Sequence, residues 1–364
     1  MSGGGGKGGG MRGGAVTRTL FSLALAALAL ISIGCDSPGN DTKDYALMNQ
    51  IPLTAECVGY MRIGLPDKGR RAWSATVDGA GLALLKGLDR TAFDTYVESR
   101  KEKFAALPHN VEPNRLVTFR SFGDKGTILL YREDAFQTEV VEMERYLWVG
   151  SDEGAGRGYF LDSGSHFGKV EQDLESFSRV FAKFSLRQPG ESTSNGFCID
   201  GASLADDGID VAADVTVSLP GQPGWDLYVS YAKLGSPHDV QDTEGLDERL
   251  ATATGSLELE QEKYRRQAEA YPGIGKEPDY PKHFEVLRKG SRELAGVKGG
   301  EAAWKKELNN GGVLYTFLWM DESLSGQSAM VEMNTRDEEQ TASSEERMFA
   351  LWDAVLASVE FRGH

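Results

Sequence analysis

Residues 168–184 read GKVEQDLESFSRVFAKF and residues 343–359 read SSEERMFALWDAVLASV, and these two stretches organise the whole chain. In the first, Val170, Leu174, Phe177, Phe181 and Phe184 recur every three or four residues, which puts them on one stripe of a helix. In the second, Met348, Leu351, Trp352, Val355, Leu356 and Val359 do the same, and Ser343 with Glu346 three places on is a capping-box start. Each predicted helix runs into a short ending, FSLRQP in one case and VEFRGH in the other. Aromatic stripes at this spacing belong to a core rather than to a cofactor surface.

Upstream of each helix the same kinds of segment come in the same order. Each half opens on a cysteine in a strand-like stretch: ECVGYMRIGLP at 56–66 and GFCIDGASL at 196–204. A polar helical stretch follows, DRTAFDTYVESRKEKFAAL at 89–107 and TEGLDERLATATGSLELEQEKYRRQAEAY at 243–271. Strand signals come next, RLVTFRSF and TILLYRE in the first half, GGVLYTFLWM and SAMVEMN in the second. Between the halves lies SLRQPGESTSNG, a linker composition. The pattern predicts an α+β protein of two similar domains, each an antiparallel sheet packed with helices. The N-terminal domain is expected over 51–186, a linker over 187–196 and the C-terminal domain over 197–364.

The first 34 residues read as an address. Lys7, Arg12 and Arg18 are the only charges before Cys35, and LFSLALAALALISIG at 20–34 is an apolar run too short to span a bilayer. The segment Ser32-Ile33-Gly34-Cys35 is similar to a bacterial lipobox, which makes residues 1–34 a signal peptide, Cys35 the lipidated first residue and the polar stretch 35–50 a tether. Ordinary secretion, without a lipid, is the other reading of the same residues. Asp36 after Cys35 resembles an inner-membrane retention signal. The expected location is the periplasm, on a lipid anchor.

Composition limits the partners. Of 364 residues, 39 are Lys or Arg and 55 are Asp or Glu, a net charge of -16. Removing residues 1–34 takes away three basic residues and no acid, so the remainder is more acidic still. A chain this acidic repels phosphate backbones, so no nucleic-acid partner is expected. Three cysteines are too few for a disulfide scaffold or a four-thiolate zinc site. With Cys35 lipidated, Cys57 and Cys198 remain. In an oxidising compartment they fit a disulfide; two buried free thiols fit the sequence as well.

No catalytic constellation stands out. There is no G-x-S-x-G elbow, and Asp162-Ser163-Gly164-Ser165-His166 crowds serine, histidine and aspartate into one polar stretch, whereas triad partners converge from distant parts of a chain. None of the Gly-Lys pairs precedes Ser or Thr, and no two of the five histidines lie within helical reach. Neither a cofactor, a metal nor a small-molecule substrate is expected, and the reading is a binding protein rather than an enzyme.

The segments ECVGYMRIGLP, GFCIDGASL, VTVSLPGQPGWDL and ALWDAVLASVEFR resemble the cognate immunity proteins of type VI secretion lipase effectors, in the fourth family of that class. The more specific elements are FCIDG and LWDAVLASV. The resemblance implies N- and C-terminal immunity domains and a protein that binds a cognate phospholipase or lipase effector and blocks its access to lipid. Contact residues are expected on loops, and the candidates are Tyr159 and Phe160 in the stretch 150–165 and Tyr271 and Tyr280 in 271–282. The alternative is an envelope lipoprotein for solute binding or assembly with no toxin partner.

Overall fold

The computed structural model describes residues 52–150, 156–166, 170–187, 196–205, 208–222, 224–234, 245–270, 281–308, 310–322, 326–335 and 345–362. The expected signal peptide over 1–34, Cys35 and the expected tether over 35–50 lie outside the described residues, as does most of the expected linker. The first half runs β1 (Leu53–Val58), β2 (Met61–Pro66), β3 (Arg70–Val77), β4 (Ala80–Leu85), α1 (Arg90–Ala106), β5 (Leu116–Ser121), β6 (Gly126–Tyr131), β7 (Val141–Gly150), β8 (Gly156–His166), α2 (Val170–Ala182) and β9 (Phe184–Leu186). The second half runs β10 (Phe197–Ile199), β11 (Ala202–Leu204), β12 (Val211–Ser218), β13 (Trp225–Lys233), α3 (Leu246–Ala270), β14 (Pro281–Leu294), β15 (Val297–Leu308), β16 (Val313–Asp321), β17 (Gln327–Thr335), α4 (Glu345–Ala357) and β18 (Glu360–Phe361). The two lists match element for element.

The pairing repeats as faithfully as the order. One half contributes β3-β4-β8-β7-β6-β5 and the other β12-β13-β17-β16-β15-β14, and in each the same strands are neighbours. The halves do not keep separate main sheets. The first main-sheet strand of each half is an open edge, and the two edges pair antiparallel, from Val77↔Val211 to Arg70↔Ser218, giving one twelve-stranded sheet. That pairing joins residues about 140 apart in the chain, which is why a local reading of strands and turns sees two sheets.

The halves are also tied by exchange of their last strands. β9, which ends the first half, pairs with β11 of the second; β18, which ends the second, pairs with β2 of the first. Two three-stranded sheets result, β1-β2-β18 and β10-β11-β9, each completed by the other half. At their junction Cys57 and Cys198 form a disulfide across 141 residues. Beside it Gly59 and Cys198 exchange backbone hydrogen bonds, both 2.9 Å. Gly59 has φ +60°, and a Cβ there would stand 2.5 Å from the Tyr231 ring, so the position requires glycine twice over.

Strand alternation decides which face of the main sheet is core. β12 reads VAADVTVS, with Val211, Ala213, Val215 and Val217 buried and the residues between them half-exposed. The buried face carries the main core. There α2 inserts Leu174, Phe177 and Phe181, α4 inserts Met348, Leu351, Trp352 and Val355, and the two small sheets supply Val58, Ile63, Phe197 and Leu204. Following the cross-strand register shows that α1 and α3 both lie on the opposite face. α1 packs Phe93, Val97 and Phe104 against Leu129, Tyr146 and Trp148, and α3 packs Leu246 and Leu250 against Ala302, Trp304 and Leu318.

Candidate partner-binding face

Between α1 and α3, none of the described residues covers the outer face of the sheet. Its floor is formed by β4, β3, β12 and β13, roughly 15–20 Å across at the usual strand spacing. It presents small and polar side chains: Ala72, Ser74 and Thr76 from β3, Gly81 and Ala83 from β4, Asp214 and Thr216 from β12, and Tyr228 and Ser230 from β13. The ordered polar centre of the floor is Asp214, which accepts from Ser74 Oγ at 3.0 Å and from the Tyr228 hydroxyl at 2.9 Å. Burial, and then the negative charge of Asp214, push the Tyr228 phenol well above its ordinary range, so it stays a donor. Toward α3 the floor deepens into an open hollow of about 380 Å³, whose lining includes Arg249, Trp304, Thr316, Glu332 and Asn334.

The flanking helix α1 is fixed in place by a buried charge. Asp89 caps it, accepting from Ala92 N at 2.8 Å. Arg100, in its third turn, reaches down to Glu144 of β7, which is 5% exposed, and the Tyr146 hydroxyl donates to the same carboxylate at 2.6 Å. Burial and the Glu144 charge raise the Tyr146 phenol far above its normal range. A paired, hydrogen-bonded carboxylate of this kind positions the helix more than it stabilises it.

Of the residues singled out from the sequence, Tyr159 and Phe160 lie inside the molecule. The stretch 150–165, expected as an exposed loop, is from Gly156 onward the strand β8, paired on one side with β7 and on the other with β4. Tyr159 is 1% exposed and its hydroxyl donates to the Asp200 backbone carbonyl at 2.5 Å. Burial pushes the Asp200 carboxyl above the usual carboxylate range, with Arg157 pulling the other way. Phe160 is half-buried under α1, its ring 5.4 Å from that of Tyr146. Asp162 to His166, the stretch that crowds serine, histidine and aspartate, is part of the same paired strand. Tyr271 and Tyr280 lie outside the described residues. Among the described residues no cluster of three or more His, Cys, Asp or Glu could hold a metal ion. No described helix is long and apolar enough to cross a membrane. The floor residues went unnoticed in the sequence although β12 carries their signal, a strict alternation in which every second residue is small or polar.

Residues 191–364 match the family model of the Tle cognate immunity protein 4 C-terminal domain. The match spans a little under half of the chain. No protein of curated function matches the chain. Among solved structures, the apo immunity protein TplEi of the type VI secretion system of Pseudomonas aeruginosa is 19% identical, with a TM-score of 0.67 over 86% of this chain and 99% of that one. The Tle4–Tli4 complex matches with 18% identity and a TM-score of 0.67, over 85% of this chain and 98% of that one. TplEi complexed with the "L" peptide matches at 17% identity and a TM-score of 0.60, over 85% and 98%. At these identities the likeness is one of fold, and it extends over both halves.

Proposed function

We propose that this chain is an immunity protein that binds and inhibits a cognate type VI secretion phospholipase or lipase effector. The observation that carries the reading is the family match over residues 191–364, joined by a fold shared over nearly its whole length with TplEi and with the structure of the Tle4–Tli4 complex. The geometry agrees with it. The uncovered floor between α1 and α3 is broad and shallow, and it suits the docking of a protein surface. The protein acts by occupying the effector, not by catalysis. Each repeated half is an immunity domain, N-terminal over 51–186 and C-terminal over 197–364, joined through the shared sheet.

The site of action is the periplasm. Residues 1–34 direct export, Cys35 carries the lipid, and residues 35–50 tether the folded part to the inner membrane, where an enzyme attacking phospholipid from that side is met. Co-expression tests both parts. An effector sent to the periplasm kills, this chain rescues, and rescue fails when residues 1–34 are removed. Survival that does not depend on this chain contradicts the immunity reading; undiminished rescue by the chain lacking residues 1–34 contradicts the location.

A further inference from the structure

The internal repeat allows one half to serve as the control for the other. β15 and β16 are joined by residues 309–312, four residues. Their counterparts β6 and β7 are joined by residues 132–140, nine residues that the same turn does not require. The longer connection carries Phe136, which at 80% exposure is the most exposed large apolar side chain among the described residues. Val111, 72% exposed, lies on the connection between α1 and β5, which is tied to this loop where the adjacent Asn110 N donates to the Ala135 carbonyl at 3.0 Å.

This apolar pair rests on a braced support. Asp134 Oδ1 accepts from the backbone N–H of Phe136 and Gln137, at 2.7 and 2.9 Å. His109, itself buried, donates from Nε2 to the Gln137 carbonyl at 2.9 Å and accepts at Nδ1 from Glu112 N at 2.9 Å. Arg115 donates to the Pro108 and Glu133 carbonyls, and Arg132 to those of Thr138 and Val140. Both guanidinium groups are thus turned inward as braces, while Glu112, Glu133, Asp134 and Glu139 stand exposed around the apolar pair. An exposed aromatic side chain on a hydrogen-bonded loop, in an insertion that the other half lacks, is arranged for burial against something else. The acidic ring selects what that is: a surface with an apolar socket rimmed by Lys and Arg.

We infer that the Phe136–Val111 knuckle is a docking point for the lipase effector, entering an apolar socket with a basic rim on that protein. The assignment rests on the immunity reading above and adds to it a contact outside the open floor. Phe136 is the anchor, and its pre-ordered loop removes part of the entropy cost of binding.

Titration of the purified, disulfide-bonded protein against its purified cognate lipase effector tests this. Phe136→Ala should weaken Kd by about 30-fold or more, as expected of a central aromatic anchor. Its melting temperature should stay that of the wild type, because the side chain touches little. Glu139→Lys should slow association several-fold at low salt and much less at high salt. Replacing residues 132–140 by 309–312 should give a folded protein with the same loss as Phe136→Ala. Wild-type affinity, within twofold, in both Phe136→Ala and the loop replacement overturns the knuckle and leaves the immunity reading standing. No binding by the wild type overturns both. A change in self-association, or in binding to phospholipid vesicles, with effector affinity intact would put a second copy or a membrane on Phe136 and also overturn the assignment.

Discussion

Cys57 and Cys198 hold the same place in the two halves, the second strand residue before the first hairpin turn, and they are bonded to each other. The bond therefore lies where the repeats meet, and its surroundings cross-link them again. Glu56 accepts from Arg71 at 2.8 Å and from Arg187 at 3.0 Å, and Arg187 also donates to the Ile199 carbonyl at 3.3 Å. Strand exchange, disulfide and buried ion pair act on one seam.

Breaking the disulfide should therefore loosen both halves together. Cys57→Ser is expected to cost roughly 3–5 kcal/mol, the range for a native bond closing so long a loop. Cys198→Ser should cost about the same, and the double variant no more than either, because a single bond is lost once. Urea unfolding of the purified protein, oxidised and reduced, measures this. Two independent transitions in the oxidised wild type would contradict a shared seam.

A chain ending at Val359 loses β18. Glu360 and Phe361 pair with Arg62 and Met61, and Arg362 N donates to the Tyr60 carbonyl at 2.9 Å. The expected effect falls on the other end of the chain: hydrogen exchange at Met61 to Ile63 should accelerate at least tenfold, while β14 to β16 remain protected. Unchanged protection at β2 would show that the exchanged strand contributes nothing there.

The fold's repeat was legible in the sequence because each half restates the same signals: a cysteine strand, a polar helix, paired strands, an aromatic-striped helix. Leu174, Phe177 and Phe181, and Met348 to Val355, lie on the core as their spacing requires. What could not be read was pairing between distant edges. Nothing local to Arg70–Val77 says that its partner is Val211–Ser218 rather than a strand of its own half. Tyr159 reads as a loop residue for a related reason. Glycines around it signal a loop, but Gly158 is small because Phe93 of α1 packs there, a Cβ at that position standing 2.5 Å from its ring. The open floor was hidden differently, since an uncovered sheet face has the same alternation as any solvent-facing one.

Glu301 is the buried acid that docks α4. It is 6% exposed and accepts from Trp352 Nε1 at 2.7 Å, Arg288 at 2.9 Å and Arg292 at 3.3 Å. Glu301→Ala is expected to cost about 3–5 kcal/mol, since it leaves an indole N–H and two cations short of their acceptor. Asp353 on α4 receives both arginines too. Burial raises its carboxyl, but the hydrogen bonds from Arg288 and Arg292 outweigh that and hold it below its ordinary value near 3.8. A depressed carboxylate contributes stability above its unfolded value and loses it as pH falls through the folded one. Asp353→Asn should therefore lower stability at neutral pH and leave it nearly unchanged in strong acid, as thermal melts across pH 2–7 would show.

If Cys35 carries a lipid, Cys35→Ala should move the protein from the membrane fraction to the soluble one or leave it unprocessed. Labelled fatty acid should enter the wild type alone. Equal labelling of both would remove the anchor from the account.

Neutralisation of a lipase by binding is tested most directly by one measurement: phospholipid hydrolysis by the purified cognate effector, titrated with this protein. Hydrolysis should fall in step with formation of a stable complex and stop at a fixed ratio of the two chains, with no hydrolysis by this protein alone. Hydrolysis that continues at its full rate in the presence of excess, folded, disulfide-bonded protein would contradict it.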